Sequence, residues 1–322
     1  MRDGFAIDPI ATTGRVFRDF RPYVAAISED GVVHFQAALD DGTTSVFAGA
    51  RVLVRSATHG IAAVRSHPDV DAHGRWCAYV ELEDGREAVV LGEGYSVRRV
   101  AQTGGELAHI GPLGPTMNQT GAIAFRATTA RGEGVFLAHD DRVVALELVG
   151  ARAFHGLPIV RGDGSVVVRV DDGEGAAIYV LREGAAAEKV VGAPFTELGP
   201  FVSANDRGSI AFRGAASEPG VFVFDGNAAR PVVAGTDVFE SYRGALINDL
   251  GTVIFYATPI GGALGVYVAH GEAVERVMGV GDRLLGSTVR GLALNPVSFN
   301  DRDELAVRVE CDDVQHIAYA RV

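Results

Sequence analysis

Lysine is almost missing: Lys189 is the sole copy in 322 residues, so arginine supplies nearly all of the 29 cationic side chains, against 41 acidic ones. The formal net charge is −12. Without a clustered positive field, neither a nucleic acid nor an anionic membrane is expected as a partner. Scarce lysine with arginine in its place, beside abundant Ala, Gly, Val and Asp, is the composition expected of a GC-rich bacterial genome. There are only two cysteines, Cys77 and Cys311, at different points of the repeat described below; they read as small buried hydrophobes rather than a disulfide or a metal site. No apolar run approaches the roughly 18 residues that a spanning helix needs. The opening Met1-Arg2-Asp3-Gly4-Phe5 lacks a signal-peptide apolar core, which predicts a cytoplasmic location, or a secreted one if a leader has been removed.

Catalytic signatures are missing too. There is no G-x-S-x-G elbow and no H-E-x-x-H pair. Gly261-Gly262 and Gly279-Val280-Gly281 lack the strand-to-helix setting of a phosphate loop. Asp40-Asp41-Gly42 and Asp171-Asp172-Gly173 read as hairpin tips, without the spacing of a calcium loop. No cofactor is expected, and no metal site is assigned; a divalent ion held by His and carboxylate is the minor alternative.

What is present is glycine, 41 residues of it, and a repeat. Asn118-Gln119-Thr120-Gly121-Ala122-Ile123-Ala124-Phe125, Asn205-Asp206-Arg207-Gly208-Ser209-Ile210-Ala211-Phe212 and Asn248-Asp249-Leu250-Gly251-Thr252-Val253-Ile254-Phe255 are its clearest copies. Weaker ones start at Ser28, Asp71, Arg161 and Asn300. The seven anchors are separated by 43, 47, 43, 44, 43 and 52 residues, the length of one four-stranded propeller blade. An Asn, Asp or Ser side chain starts a turn by bonding the backbone two residues on, and glycine three places later enters the next strand through a left-handed conformation. Both faces of the strand that follows are largely apolar, as blade-on-blade packing requires. Trp76, just after a turn glycine, belongs to that inter-blade core.

The prediction is one all-β domain over residues 1–322: a seven-bladed β-propeller of four-stranded antiparallel blades. The chain stops after a third strand, His316 to Val322, and begins with an outer strand near Phe5 to Ala11. Pairing the N-terminal strand with the C-terminal blade closes the ring and removes its free edges. The pattern resembles the bacterial proteins that carry tandem N-x-x-G-x-x-A-F repeats, over essentially the whole chain. The resemblance implies a propeller, in a family thought of as mostly secreted or surface-anchored. It implies no catalytic residues, because the motif is a folding motif.

Function is expected where the connections from each outer strand to the next inner strand meet around the central channel. The N-x-x-G turns fall on the opposite face and read as structural. The connections carry Asp19, His109, His155, Glu197, Glu240, Tyr242, Arg243 and Arg290. Glu197 and Glu240 share a register, and His155 lies two residues along the same strand face in the adjacent blade. His155, Glu197 and Glu240 are therefore the candidate acid–base group, with His109, Tyr242, Arg243, Arg290 and Asp19 as substrate-binding residues. The extra length before the last anchor, Gly281 to Arg290, is expected to lean over the mouth. Three readings follow. The first is a module binding a small molecule, peptide or protein. The second is an intracellular metabolite- or peptide-tailoring lyase, hydrolase or cyclase. The third is a passive scaffold, should side chains plug the mouth. Oligomeric state is not read from the sequence.

Overall fold

Seven antiparallel sheets, one per repeat, stand side by side around a central channel. The computed structural model describes residues 5–139, 141–271, 273–284 and 286–322. Met1 to Gly4 of the opening segment, Asp140 of the third-blade turn and Leu285 of the long loop lie outside the described residues. The sixth blade shows the plan: inner strand Phe239–Ile247, then Val253–Pro259, Gly265–His270 and outer strand Ala273–Gly279, each paired with the next. In the first three blades the inner strand is divided in two, as Ile61–Val64 and Asp69–Val70 in the second.

Ring closure follows the prediction. Ile7–Thr12 pairs antiparallel with Gln315–Arg321 and becomes the outer strand of the seventh blade. Thr12 and His316 face each other across that seam, Oγ1 to Nδ1 at 2.8 Å. No helix among the described residues is long and apolar enough to cross a membrane.

The repeat motif divides its work by position. The phenylalanine seven residues after the anchor stacks on an aromatic directly opposite in the third strand: Phe35 on Phe47, Phe125 on Phe136, Phe212 on Phe222 and Phe255 on Tyr267, with ring centroids 5.2 to 5.9 Å apart. Such cross-strand pairs contribute about 0.5–1.5 kcal/mol each beyond the area they bury. Glycine at the turn is needed for its backbone: Gly251 sits at φ +85°. The seventh copy has Asp303 there at φ +56°, and its carboxylate accepts Nδ2 of Asn248 at 2.8 Å. Trp76 is fully buried against Val46, Ala48 and Leu53 of the first blade. Both cysteines are buried and free.

The anchor asparagine does more than start a turn. Asn248 Oδ1 accepts the Thr252 amide at 3.0 Å, while its Nδ2 donates to the Asn300 carbonyl in the next blade at 3.0 Å. The same lateral bond runs from Asn118 to Arg161, from Asn205 to Asn248 and, across the closing seam, from Asn300 to Ser28. Each asparagine thus caps its own hairpin and ties it to its neighbour, which an ionised Asp cannot do because its side chain has no donor. Asp71 compensates by taking Nε of Arg75 at 2.6 Å.

Candidate functional site

Every inner strand breaks or bulges at the same place, shortly before its anchor. The register skips between His155 and Ile159, between Leu198 and Val202, and between Tyr242 and Ala245. Proline and glycine cause it: Gly156-Leu157-Pro158, Gly199-Pro200-Phe201 and Arg243-Gly244 cannot keep a continuous ladder, and His67-Pro68 and Gly111-Pro112 split their strands outright. Together these bulges leave a cavity of about 750 Å³ at the mouth opposite the N-x-x-G turns. All seven residues four places before an anchor line it: Val24, His67, Gly114, Leu157, Phe201, Gly244 and Pro296.

The wall is mainly apolar, with Leu264, Leu292 and Leu294 added from the last two blades. Its charged groups among the described residues are Arg65, Arg213 and Arg243, and no described Asp or Glu lines it. Glu81 holds Arg65, whose Nε donates at 2.9 Å, and Glu197 holds Arg213 in a two-pronged pair. That pairing draws the Glu197 carboxyl below its ordinary value. Arg243 has no hydrogen bond or ion pair among the described residues. His67 is buried; its Nδ1 lies 3.1 Å from the Pro68 carbonyl, which fixes that nitrogen as the donor and leaves Nε2 a bare acceptor beneath Gly114. Burial lowers its pKa to about 4, so the ring is neutral in ordinary buffers.

The second strand braces the bulges. Arg126 and Arg308 reach across to the next blade and donate to the carbonyls of Gly156 and Tyr23, at 3.1 and 3.0 Å. Tyr256 does the same service for Leu294, accepting its amide at 2.6 Å. All three stand eight residues after their anchors.

The 3-10 turn Pro296–Ser298 lies between this cavity and a smaller one on the turn face: Pro296 lines both, and Val297 packs on Ala26 and Val70. Around the smaller cavity the residues after five of the anchors, Glu29, Gln119, Asp206, Asp249 and Asp301, form a crown. The carboxylates of Asp249, Asp301 and Glu29 accept the amides of Asp206, Asp249 and Asp301 at 2.8, 2.6 and 3.2 Å. Burial, then repulsion from Asp301, raises the pKa of Glu29 to about 7. Burial likewise raises that of Asp69 to about 7.

Of the residues singled out from the sequence, Tyr242 and Arg243 line the large cavity; Tyr242 donates its hydroxyl to the Gly235 carbonyl at 2.8 Å. The other six do not line it. His155 is half-buried with Nε2 2.8 Å from Asp171, Glu197 is spent on Arg213, and Glu240 is exposed. No hydrogen bond or ion pair joins any two of these three. His109 pairs with Glu87 at 2.6 Å, Arg290 with Asp312 at 2.6 Å, and Asp19 with Arg21 and Gln315. The described residues of the segment Gly281 to Arg290 also stay out of the lining, against expectation. Arg283–Leu284 folds into a short hairpin with Ser287–Ala293, and Asp282 is tied by Arg276 to the outer strand of the sixth blade. Among the described residues no group of three His, Cys, Asp or Glu is placed to hold a metal ion.

Beyond Tyr242 and Arg243, most of the lining is apolar, Pro or Gly and carries no ionisable signal in the sequence. The signal that marks them is the recurrent Pro or Gly four to six residues before an anchor.

No family model and none of the curated proteins matches the chain. Solved structures match its shape. An oligogalacturonate lyase from Vibrio parahaemolyticus superposes with a TM-score of 0.61 at 12% identity over 99% of each chain. The β-propeller domain of the Trilobed protease from Pyrococcus furiosus gives 0.60 at 13%, over 90% of this chain and 91% of that one. A catalytically inactive virginiamycin B lyase from Staphylococcus aureus, solved with quinupristin, gives 0.59 at 11%, over 98% and 100%. Identities this low carry the propeller fold and nothing about activity.

Proposed function

We propose that this chain is a ligand-binding propeller whose site is the bulge-lined cavity at the channel mouth. The observation that carries the reading is that all seven blades contribute to one 750 Å³ hollow with apolar walls and a few convergent polar groups. That size and lining suit a small organic ligand or the end of a peptide. The open hollow argues against the passive scaffold. An acid–base enzyme working in this cavity is the weaker reading, since among the described residues no carboxylate lines it and the one imidazole there has its bare nitrogen covered by backbone.

Gly244 offers the test. A Cβ built there meets nothing within 4 Å, so Gly244→Trp puts an indole into the hollow without disturbing the backbone. The neutral dye N-phenyl-1-naphthylamine should bind the wild type saturably at one site, with a rise in fluorescence. Gly244→Trp should lose that binding while keeping its circular dichroism spectrum. Unchanged dye binding by a folded Gly244→Trp would overturn the assignment.

A further inference from the structure

The two ends of the channel carry opposite charge. Glu29, Asp69, Asp206, Asp249 and Asp301 line the cavity on the turn face, where no described Lys, Arg or His does. Beyond the 3-10 turn the charged lining is all guanidinium: Arg65, Arg213 and Arg243. A chain of net charge −12 has therefore turned cations, unaccompanied by lining acids, onto its large apolar hollow. A partly dry, apolar-walled cleft strengthens the field of such groups relative to open water.

The three guanidinium groups are not equivalent. Glu81 and Glu197 already occupy Arg65 and Arg213, so an incoming anion must share or displace a carboxylate there. Arg243 has no such partner among the described residues. It sits in the bulge between Tyr242 and Ala245, with open space beside Gly244 and the apolar wall around it.

Resting on the assignment of this cavity as the binding site, we infer that its ligand is an amphipathic anion. It has an aromatic or aliphatic body and one carboxylate or sulfonate that pairs with Arg243. The body lies against Leu157, Phe201, Leu292 and Pro296, and the acidic crown beyond the constriction repels the charged end. The ligand therefore points its charge toward the outer mouth. Charge-assisted pairing with a guanidinium supplies the selectivity, and apolar burial supplies most of the affinity.

Calorimetric titration with three probes of one shape tests this: 2-naphthoate, neutral naphthalene-2-carboxamide and cationic 2-naphthylmethylammonium. The wild type should prefer naphthoate to the carboxamide by about tenfold, with the ammonium weakest. Arg243→Gln should erase that preference, with naphthoate losing far more affinity than the carboxamide. Glu197→Gln, which releases Arg213, should widen it. Equal affinity for the three probes in the wild type, or an undiminished preference in Arg243→Gln, overturns the inference. Gly244→Trp separates the two failures. If it blocks all probes while the wild type ignores their charge, the cavity stands and only the anion is wrong. If it blocks none, or if the wild type binds no probe at millimolar concentration, the site itself is wrong.

Discussion

Replacing Glu29 by Gln should stabilise the protein at pH 8 and do little at pH 5. Glu29 closes the acidic crown at the seam between the seventh and first blades, where its carboxylate accepts the Asp301 amide at 3.2 Å. Burial raises its pKa from 4.5 to about 7, with repulsion from Asp301, Asp249 and Glu304 adding to the shift. The nearby cation, Arg302, is turned to Glu304 at 3.1 Å. A group whose folded pKa exceeds its unfolded value favours the fold below the unfolded value, and that support is lost as pH rises through the folded one. The stability of the wild type should therefore fall between about pH 4.5 and 7 on account of Glu29. The shift corresponds to about 3 kcal/mol at full weight. Glu29 is partly solvated, which cuts the expected effect to about 1–2 kcal/mol. Glutamine keeps an acceptor for the Asp301 amide and removes the charge. Urea unfolding of both proteins at pH 5 and pH 8 measures the effect, and taking their difference cancels the titrating groups that do not interact with Glu29. An equal gain at both pH values, or a loss at pH 8, would refute the electrostatic account and leave the crown a hydrogen-bonding device alone.

Three further outcomes follow from the packing. Asn205→Asp keeps the turn cap on Ser209 but leaves the Asn248 carbonyl without its donor and buries a charge, so it should cost about 2–3 kcal/mol in urea unfolding. Adding Ser209→Arg, which copies the Asp71–Arg75 pair of the second blade, should recover part of that loss. A Cβ at Gly92 would stand 2.1 Å from the Trp76 ring, so Gly92→Ala should lower stability by about 3 kcal/mol and shift tryptophan fluorescence. His67, neutral in the fold down to about pH 4, should erode stability as pH falls from about 6.5, because the unfolded chain takes up the proton first. His67→Gln should flatten that acid limb.

The architecture was legible because the repeat is a folding motif with a role at each position. Asparagine caps, glycine turns, and phenylalanine stacks on its cross-strand partner. Spacing of the anchors gave the blade length, and the apolar segment near the start gave the closing strand. What the motif concealed was its lateral bond: that Asn118, Asn205, Asn248 and Asn300 each reach the next blade becomes visible only once hairpins stand side by side. The candidate site was legible in part. Tyr242 and Arg243 line the hollow, but His155 and Glu197 bond to neighbours on their own sheets. Shared register put those side chains on one strand face. It did not reveal that bulges between them and the anchors would form the wall. Those bulges are written in Pro and Gly, residues that shape a cavity through the backbone and carry no chemistry of their own.

The most direct test of a ligand site built from seven inner-strand bulges is a crystal structure of the wild type soaked with 2-naphthoate. The account requires density for the ring between Leu157, Phe201 and Pro296, with the carboxylate on Arg243. Density on the acidic turn face or the outer edge of a blade, with the hollow left to solvent, would contradict it.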